Sequence, residues 1–594
     1  MNLTNFLKQT DAAAAQYSAE QLAAFIHDIG RVLPEHYRED FLRKLKAIGK
    51  KAEKEPDADA DAEDGPEFDG MYQQVRNNLK IIDSQEITIT GILNEEYDEW
   101  YSDSGEEFYY EDSSGISDML AEACDFVHVC MDTERYKEGF EIGKQLFLME
   151  ILCENEYGDT EFSIGELVYH ELLQRDLVQV ILDTAYCAYH AVPLKKRAET
   201  LYGVIVNAGK DEITLEAVMQ HGDGELPEFK EFLTLWIHYL GEKTGRDAQR
   251  LILEAAGLLN DAHAAMRYAE KYAAVHPGLF LNLLENEKYS NAGDRVFIGL
   301  EAVRRIPKKY MIRSRVALKT AEYIIEADAE LSLLDKCYFA AYESDTSALN
   351  YLRVLLNGAG TEEIKEKLRK VFVPLSVRES GSSYSVSGRG GFYSEMEENK
   401  PDSNMILLLR FLDGQFADVL AKGLNNSKAL GWSGTFMKQG IALYLLCSYE
   451  GKRGGKGIAA MAGIVKSAMN FSAEEYRKGI CDCNAENDND LFWELFLKWK
   501  SKVPMEPDIR TRAVKKITGL LEKRTEGIME ANRRNYYGEC AAYIAALGEV
   551  QESLGEAGAK QKLMTSYKDK YSRRSAFRQE LRNYGWMDVR KKYK

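Results

Sequence analysis

The sequence predicts an all-α fold, a degenerate array of helix pairs of the TPR-like and HEAT-like α-solenoid kind. The chain has 594 residues, more than one hydrophobic core usually serves, so several domains or a repeat array are expected. Only 11 prolines occur, beside long stretches rich in Ala, Leu, Glu and Lys that favour helix. Apolar segments between residues 247 and 357 recur roughly every 17–20 residues, which gives helix pairs.

The first 50 residues predict a short N-terminal helical module. Ser18, with Gln21 three residues later, forms a capping-box pattern ahead of apolar residues at helical spacing. Residues 51–70 predict an acidic linker, because the stretch 53–69 carries nine acids among Ala, Pro and Gly. Such a stretch cannot bury enough apolar surface to offset its ordering entropy, so we expect disorder.

Residues 71–375 predict the first half of the helical repeat array, and within them residues 95–112 form an acidic-aromatic segment. This segment contains no Lys or Arg and six aromatic residues. Because disordered segments usually lack aromatics, we expect it to be packed or to bind a partner. A loop that caps the first helices is the alternative. The candidate partner-binding residues here are Tyr97, Trp100, Tyr101, Tyr109 and Tyr110.

The helical pattern is clearest in the middle of the chain, where apolar helices alternate with Gly, Pro, Asn and Asp turns. No strict consensus repeats among these segments, so the array is degenerate. The predicted helices are Leu251–Leu259, Ala264–Val275, Leu279–Leu284, Val296–Ile306, Val316–Ile325, Leu333–Tyr342 and Leu349–Leu356.

Residues 376–403 predict a Gly/Ser-rich polar loop, the best boundary within the array. Residues 404–594 predict its second half, with a deeply buried helix at 491–499 that is apolar nearly all round. The C-terminal 33 residues contain 11 Lys or Arg against 3 acids. A solvated face explains this balance, and a docking patch for an acidic partner is the alternative. Its candidate residues are Arg573, Arg574 and Arg578.

The histidines and cysteines predict no catalytic or metal site. His170 begins a near match to the zinc metalloprotease motif, but position 174 is Gln, and one imidazole cannot hold a catalytic zinc. Cys124 and His128 share a helix face, whereas Cys130 points away by about 200° from His128. Cys187 and His190 are one turn apart, which more often reflects core packing than chelation.

Two further motifs are weak. Cys481 and Cys483 could bind zinc through two thiolates, but no second pair of ligands is evident. The sequence Gly-Lys-Arg-Gly-Gly-Lys-Gly at 451–457 suits anions, yet it lacks the phosphate-loop spacing and a Ser or Thr after its second lysine. A mobile basic turn that opens a helix at Ile458 is favoured instead. The sequence therefore predicts no cofactor.

The overall charge disfavours nucleic acid as a general partner. Lys and Arg total 76 against 96 Asp and Glu, a net charge of −20 that repels phosphate backbones. No secretory signal is evident at the N-terminus, and nine scattered cysteines suggest free thiols in a reducing compartment. The longest apolar run, 405–412, is broken by Arg410 and is far shorter than the roughly 20 residues of a membrane span. We expect a cytoplasmic protein without membrane contact.

The C-terminal region resembles the helical-repeat region of bacterial SWIM-type zinc-finger proteins and their uncharacterised relatives. The residues that carry the resemblance are the TPR-like stretches 536–544 and 567–577, and it extends loosely over residues 115–594. SWIM domains have a Cys-x-His after their Cys-x-Cys, whereas no histidine follows Cys481 and Cys483 here. The resemblance thus implies a helical scaffold without the zinc module, with an AAA+ ATPase as a possible class of partner.

These observations favour a non-catalytic interaction scaffold that binds a protein or peptide partner through a helical-repeat groove. One alternative is a nucleic-acid-associated protein that uses the basic C-terminal helices. The other is an enzyme whose site is assembled from dispersed histidines and carboxylates, with His128, His170 and His190 as its ingredients. Clustering of these histidines in one pocket would favour the enzyme, and their dispersion would oppose it.

Overall fold

The computed structural model is predominantly helical and divides into two compact units, residues 1–187 and residues 188–594. The helical class predicted from composition and periodicity is confirmed. The structure describes residues 18, 21, 25–27, 65–93, 108–209, 213–222, 224–259, 261–286, 291–358, 361–374, 397–426, 428–451, 454–477, 485 and 487–587.

The first unit combines helices with a small sheet. Its elements are α1 (Gly65–Asp83), β1 (Ile89–Leu93), β2 (Phe108–Glu111), α2 (Ile116–Asp132), α3 (Tyr136–Leu148), β3 (Ile151–Glu154), β4 (Thr160–Phe162) and α4 (Ile164–Tyr169). The division between the units falls inside α5 (Leu177–Ala191). Farther upstream, Ser18 Oγ accepts a hydrogen bond from the Gln21 amide at 3.3 Å, and Gln21 Oε1 accepts one from the Ser18 amide at 2.9 Å. The predicted capping box is therefore confirmed.

The sheet is a small departure from the predicted all-α class in an otherwise helical chain. Its order is β2-β1-β3-β4, with β1 antiparallel to β2, parallel to β3, and β3 antiparallel to β4. Alternate residues are buried, as a sheet with one covered face requires. The residues that the strands bury are Ile89, Gly91, Ile151, Cys153 and Phe162.

Small residues let the helices of the first unit pack closely. A Cβ at Gly143 would lie 2.2 Å from Thr184 Oγ1, and one at Gly139 would lie 2.8 Å from Cys187 Sγ, so α3 contacts α5 through glycine. Helix α2 begins where Asp112 accepts hydrogen bonds from the amides of Ile116 at 3.0 Å and Ser117 at 2.6 Å. These contacts use backbone groups that a helix start would otherwise leave unpaired.

The second unit begins with a long succession of helices. They are α6 (Leu194–Asn207), α7 (Leu215–His221), α8 (Phe229–Gly241), α9 (Arg246–Leu258), α10 (Ala262–Tyr272), α11 (Gly278–Glu285), α12 (Ala292–Arg305), α13 (Ile312–Glu326), α14 (Leu331–Ser344), α15 (Ala348–Asn357) and α16 (Thr361–Phe372). The seven helices predicted here correspond to α9 through α15 and are confirmed. Neighbours along the chain pack together, and a Cβ at Gly299 of α12 would lie 1.9 Å from Thr320 Oγ1 of α13.

The remaining helices pack around hydrophobic cores, one of which also takes in residues of α14 to α16. They are α17 (Ser403–Leu412), α18 (Phe416–Lys422), α19 (Met437–Ser448), α20 (Lys456–Ala468), α21 (Ala473–Arg477), α22 (Asp488–Lys502), α23 (Pro507–Glu530), a 3-10 turn (Arg534–Tyr536), α24 (Tyr537–Ser553), α25 (Ala559–Lys570) and α26 (Ser575–Asn583). Helix α22 buries most of the aromatic run predicted to lie in the core, although Leu497 remains 37% exposed.

Some sequence predictions fall outside the described residues. The predicted linker contributes only 65–70, which belong to α1, and of the predicted polar loop the structure describes 397–403. There, Tyr310 and Glu398 form an isolated antiparallel bridge, and the Met311 amide donates to the Glu397 carbonyl at 2.8 Å. No helix in the described part of the chain has both the length and the apolar character that a bilayer crossing requires.

Candidate binding sites

A groove of about 460 Å³ lies on the second unit beside α19 and α20. We call it the α20 groove. Its floor is the outer face of α20, and its walls are the loop before α19, the first turn of α19 and the start of α17. The lining residues are Asn404, Trp432, Gly434, Thr435, Lys438, Gln439, Ala460, Gly463, Ile464, Ser467 and Ala468. Its volume lies within the range typical of ligand pockets.

The α20 groove is open because α20 presents small side chains on that face. Gly463 is exposed, and a Cβ built there would meet no atom within 4 Å. Ala460 and Ser467 lie one turn to either side of it, so they continue the shallow floor. Ile464 contributes apolar surface. Trp432 is buried in the wall behind the groove, where its Nε1 donates a hydrogen bond to the Lys428 carbonyl at 3.2 Å.

The charged residue on the wall of the α20 groove has an ion-pair partner within the unit. Lys438 Nζ lies 2.6 Å from Glu539 Oε2. The other oxygen of Glu539 accepts from Arg524 Nη2 at 2.9 Å, and the Arg524 guanidinium lies 4.9 Å from the Trp432 ring and 5.1 Å from the Tyr536 ring. Glu539 is therefore shared by two cations, Lys438 and Arg524, so this network holds the wall in place and carries one net positive charge.

The aromatic residues predicted to bind a partner have two different outcomes. Tyr97, Trp100 and Tyr101 lie outside the described residues. Tyr109 lies in β2 and is 50% exposed, as a contact residue would be. Tyr110 instead points to the covered face of the sheet, where its ring centroid lies 4.9 Å from that of Phe162 and 4.4 Å from that of His170.

The basic C-terminal residues bind mostly within the chain. Arg574 donates to the Asn532 side chain at 2.7 Å and to the Met529 carbonyl at 2.8 Å, so it caps the end of α23. Arg578 Nη2 donates to the Ser572 carbonyl at 2.7 Å. Arg573 is exposed. Two of the three arginines predicted to form a docking patch therefore make structural contacts.

The three histidines considered for catalysis have separate surroundings. His128 Nδ1 lies 3.0 Å from Asp183 Oδ2, and His128 Nε2 lies 3.6 Å from Asp132 Oδ2. His170 stacks on Phe162 at 5.3 Å, with an interplanar angle of 16°. The ring of His190 packs against Tyr189. None of them lines the α20 groove.

The cysteines in the described residues behave as core side chains. Cys124, Cys130 and Cys540 are buried free thiols, and burial raises the pKa of each to about 12. The described residues contain no group of three or more His, Cys, Asp or Glu side chains able to hold a metal ion. Cys481 and Cys483 lie outside them.

The glycine-rich basic stretch leads into α20, which begins at Lys456 rather than at the predicted Ile458. The first backbone amides of α20 already donate to an anionic side chain of the same unit. Glu549 of α24 accepts from the amides of Gly457 at 3.1 Å and Ile458 at 2.9 Å, and from Lys560 Nζ at 2.6 Å. The Glu549 carboxylate therefore binds the amides that a phosphate would use at this helix start. This agrees with the spacing of the glycines and lysines, which does not match a phosphate loop.

Sequence reasoning missed the α20 groove because its residues come from three separate stretches of chain. One local signal was present: Ala460, Gly463 and Ser467 place small side chains on a single helix face. A scan against protein-family models finds no match to the chain, and neither does a search of curated proteins.

Proposed function

We propose that the protein is a non-catalytic interaction scaffold that binds a peptide segment of a partner protein in the α20 groove. The observation that carries the proposal is the groove itself, an open cleft on a helical unit with a floor of small side chains. Helix pairs in succession across α9 to α15 support the repeat-array part of the proposal, because stacked helix pairs form extended binding surfaces.

The lining of the α20 groove suits a peptide segment. The small floor at Gly463 lets another backbone approach closely, and the amides of Asn404 and Gln439 lie on the wall. Asn404 Nδ2 donates to the Gly434 carbonyl at 3.2 Å, which leaves its oxygen available to a peptide N–H. Lys438, the one charged residue of the lining, is paired with Glu539.

The test is to select peptides from a random library on the full chain and to measure their affinity for groove variants. Gly463→Arg places a long side chain where the floor is open, so selected peptides should bind at least about tenfold more weakly. Gly463→Ala adds only one methyl group and should keep their binding within about twofold.

The matched control is Gly519→Arg. Gly519 also lies inside a helix, α23, and a Cβ there meets nothing within 4 Å, but it does not line the groove. This variant should bind the selected peptides as the unchanged chain does. Peptides that bind Gly463→Arg with full affinity, or a library that yields no binder, would overturn the proposal.

The two alternative functions receive less support from the described residues. The nucleic-acid alternative depends on free cations, whereas Arg574 and Arg578 donate to carbonyls of the chain itself. The enzyme alternative depends on convergent histidines, whereas His128 and His170 lie among unrelated neighbours. An AAA+ ATPase remains the class of partner that the family resemblance implies, and the cytoplasm remains the predicted location.

A further inference from the structure

The sheet of the first unit has a second face that the described helices do not cover. Residues alternate between the two faces along a strand, so the neighbours of the buried residues point the other way. We call this second surface the open sheet face. Its members are Thr90, Ile92, Tyr109, Glu111, Leu152, Glu154 and Glu161.

Exposure along the strands shows that the open sheet face is accessible. Thr90, Glu111, Glu154 and Glu161 are exposed, and Tyr109 retains 50% of its accessible surface. Ile92 is only partly buried and lies directly opposite Tyr109 on β2, so these two side chains form an apolar centre. Leu152 is also partly buried, but it lies on the other side of Thr90 and Glu154. A sheet face with aliphatic and aromatic side chains open to solvent is typical of an interaction surface.

The register places two of the glutamates on one line across the sheet. Thr90 pairs with Glu111 on β2 and with Glu154 on β3. Because neighbouring strands lie about 4.8 Å apart, the Cα atoms of Glu111 and Glu154 are about 10 Å apart. Glu161 lies opposite Leu152 on β4, on the side of this line away from Ile92 and Tyr109.

No cation lies near these carboxylates in sequence. The stretch 81–134, which includes β1 and β2, contains 16 acids and no Lys or Arg. The stretch 145–174, which includes β3 and β4, contains 7 acids and no Lys or Arg. Like charges gathered on one sheet face repel each other, so an approaching cation gains energy from all of them.

The same unit pairs its acids wherever a cation is close. Arg175 Nη2 lies 2.9 Å from Asp125 Oδ2, and Arg76 Nη2 lies 3.3 Å from Glu141 Oε1. By contrast, Glu111, Glu154 and Glu161 form no ion pair within the residues that the structure describes. Their charge is therefore available to a partner.

We propose that the open sheet face binds a lysine- or arginine-rich segment of another protein, with one apolar side chain of that segment packed over Ile92 and Tyr109. A second copy of this chain is a poor occupant, because each copy carries a net charge of −20. Nucleic acid is repelled by the same three carboxylates. This surface lies in the first unit, so the proposal does not depend on the α20 groove.

The probes are two short synthetic peptides of equal charge, one that alternates lysine with leucine and one that alternates lysine with serine. Fluorescence anisotropy on the full chain at about 0.15 M ionic strength should show the leucine peptide binding at least about tenfold more tightly. Replacing the apolar centre's aromatic residue, Tyr109→Ser, should weaken only the leucine peptide.

The decisive comparison uses two triple variants with the same change in net charge. The face variant Glu111→Gln/Glu154→Gln/Glu161→Gln should bind the leucine peptide at least about tenfold more weakly. The control variant replaces exposed acids away from the strands and should bind within about twofold of the unchanged chain. The control substitutions are Asp118→Asn, Glu134→Gln and Glu171→Gln.

Two outcomes would overturn this proposal. Equal loss in the face and control variants would mean that the peptide responds to bulk charge rather than to the open sheet face. No binding of either peptide would mean that the face does not take a basic segment. All substituted residues are exposed, and circular dichroism at 222 nm would confirm that each variant keeps its helical content.

Discussion

Replacing Gly457 by alanine should destabilise the second unit, because α20 meets the backbone of α24 at this glycine. A Cβ at Gly457 would lie 2.3 Å from the Ala546 nitrogen and 2.6 Å from the Ala545 carbonyl carbon. Carbon atoms in contact prefer about 3.5–4.0 Å, so the helices must separate by about 1 Å. The opposing atoms belong to a helix backbone and cannot turn away as a side chain could.

The magnitude follows from three contributions. Overpacking of this kind costs about 1–3 kcal/mol. Separation also weakens the hydrogen bonds from Gly457 and Ile458 to Glu549, now 3.1 and 2.9 Å, and a bond to a charged group contributes about 1.5–3 kcal/mol. The better helix propensity of alanine offsets at most about 1 kcal/mol of this loss in the free energy of unfolding. We expect a net loss of about 2–4 kcal/mol in the free energy of unfolding.

The assay is urea unfolding followed by circular dichroism, with hydrogen exchange to locate the change. Exchange should accelerate in residues 456–468 and 537–553, which form α20 and α24. Gly463→Ala is the matched control on the same helix, where alanine meets no atom within 4 Å and should stabilise by about 0.5–1 kcal/mol. A Gly457→Ala variant as stable as this control would refute the close contact.

Two further predictions concern buried titratable groups. Burial raises the pKa of Asp345 to about 6, so its neutral form stabilises the fold below about pH 4, and this contribution is lost as the pH rises through 6. Asparagine cannot ionise, so the Asp345→Asn variant should not lose this contribution. Its free energy of unfolding, minus that of the unchanged chain, should therefore increase by about 2–3 kcal/mol between pH 4 and pH 7. A difference that stays constant with pH would contradict the raised pKa. Seven of the nine cysteines are buried free thiols. A thiol reagent at pH 8 should therefore label no more than two cysteines in the folded chain and all nine in urea. Rapid labelling of three or more cysteines in the folded chain would contradict their burial.

Apolar periodicity located the central helices well but placed their starts too late. Helix α10 was predicted from Ala264 and begins at Ala262, because Asp261 accepts from the amides of His263 and Ala264 at 2.9 and 3.1 Å. Asn291 extends α12 in the same manner by accepting from the Gly293 amide at 2.8 Å. Hydrophobic spacing reports the buried face of a helix, whereas polar caps determine where it starts.

The strands were missed because their pairing is not local. Strands β1 to β4 contain only three to five residues, too few for an alternating pattern to be distinguished from a helix turn. Ile89 pairs with Cys153, far along the chain, and only that pairing gives β1 a partner on its second edge. Tyr109 and Tyr110 were grouped by composition, yet the two-residue period directs them to opposite faces of the sheet.

The number of charges counted along the sequence also overestimates the charge exposed where helices pack together. The C-terminal lysines and arginines suggest a docking patch, but Lys570 Nζ lies 3.8 Å from Glu526 Oε1 and Arg574 caps α23. These partners are supplied by other helices, so their contacts emerge only when the unit is assembled. The number of basic residues in a segment therefore overstates the charge that the segment offers to a partner.

The same reasoning decides where external charges can bind. Carboxylates of the chain occupy helix starts in both units: Asp112 at α2, Glu254 at α7, and Glu549 at α20. A phosphate at the start of α20 would have to displace Glu549 and leave that carboxylate buried without its amide donors, which is unfavourable. At these three helix starts, the amides that would suit an external anion are therefore already satisfied. Glu111, Glu154 and Glu161 of the open sheet face form no ion pair within the described residues, and for that reason we propose a basic rather than an acidic partner for that face.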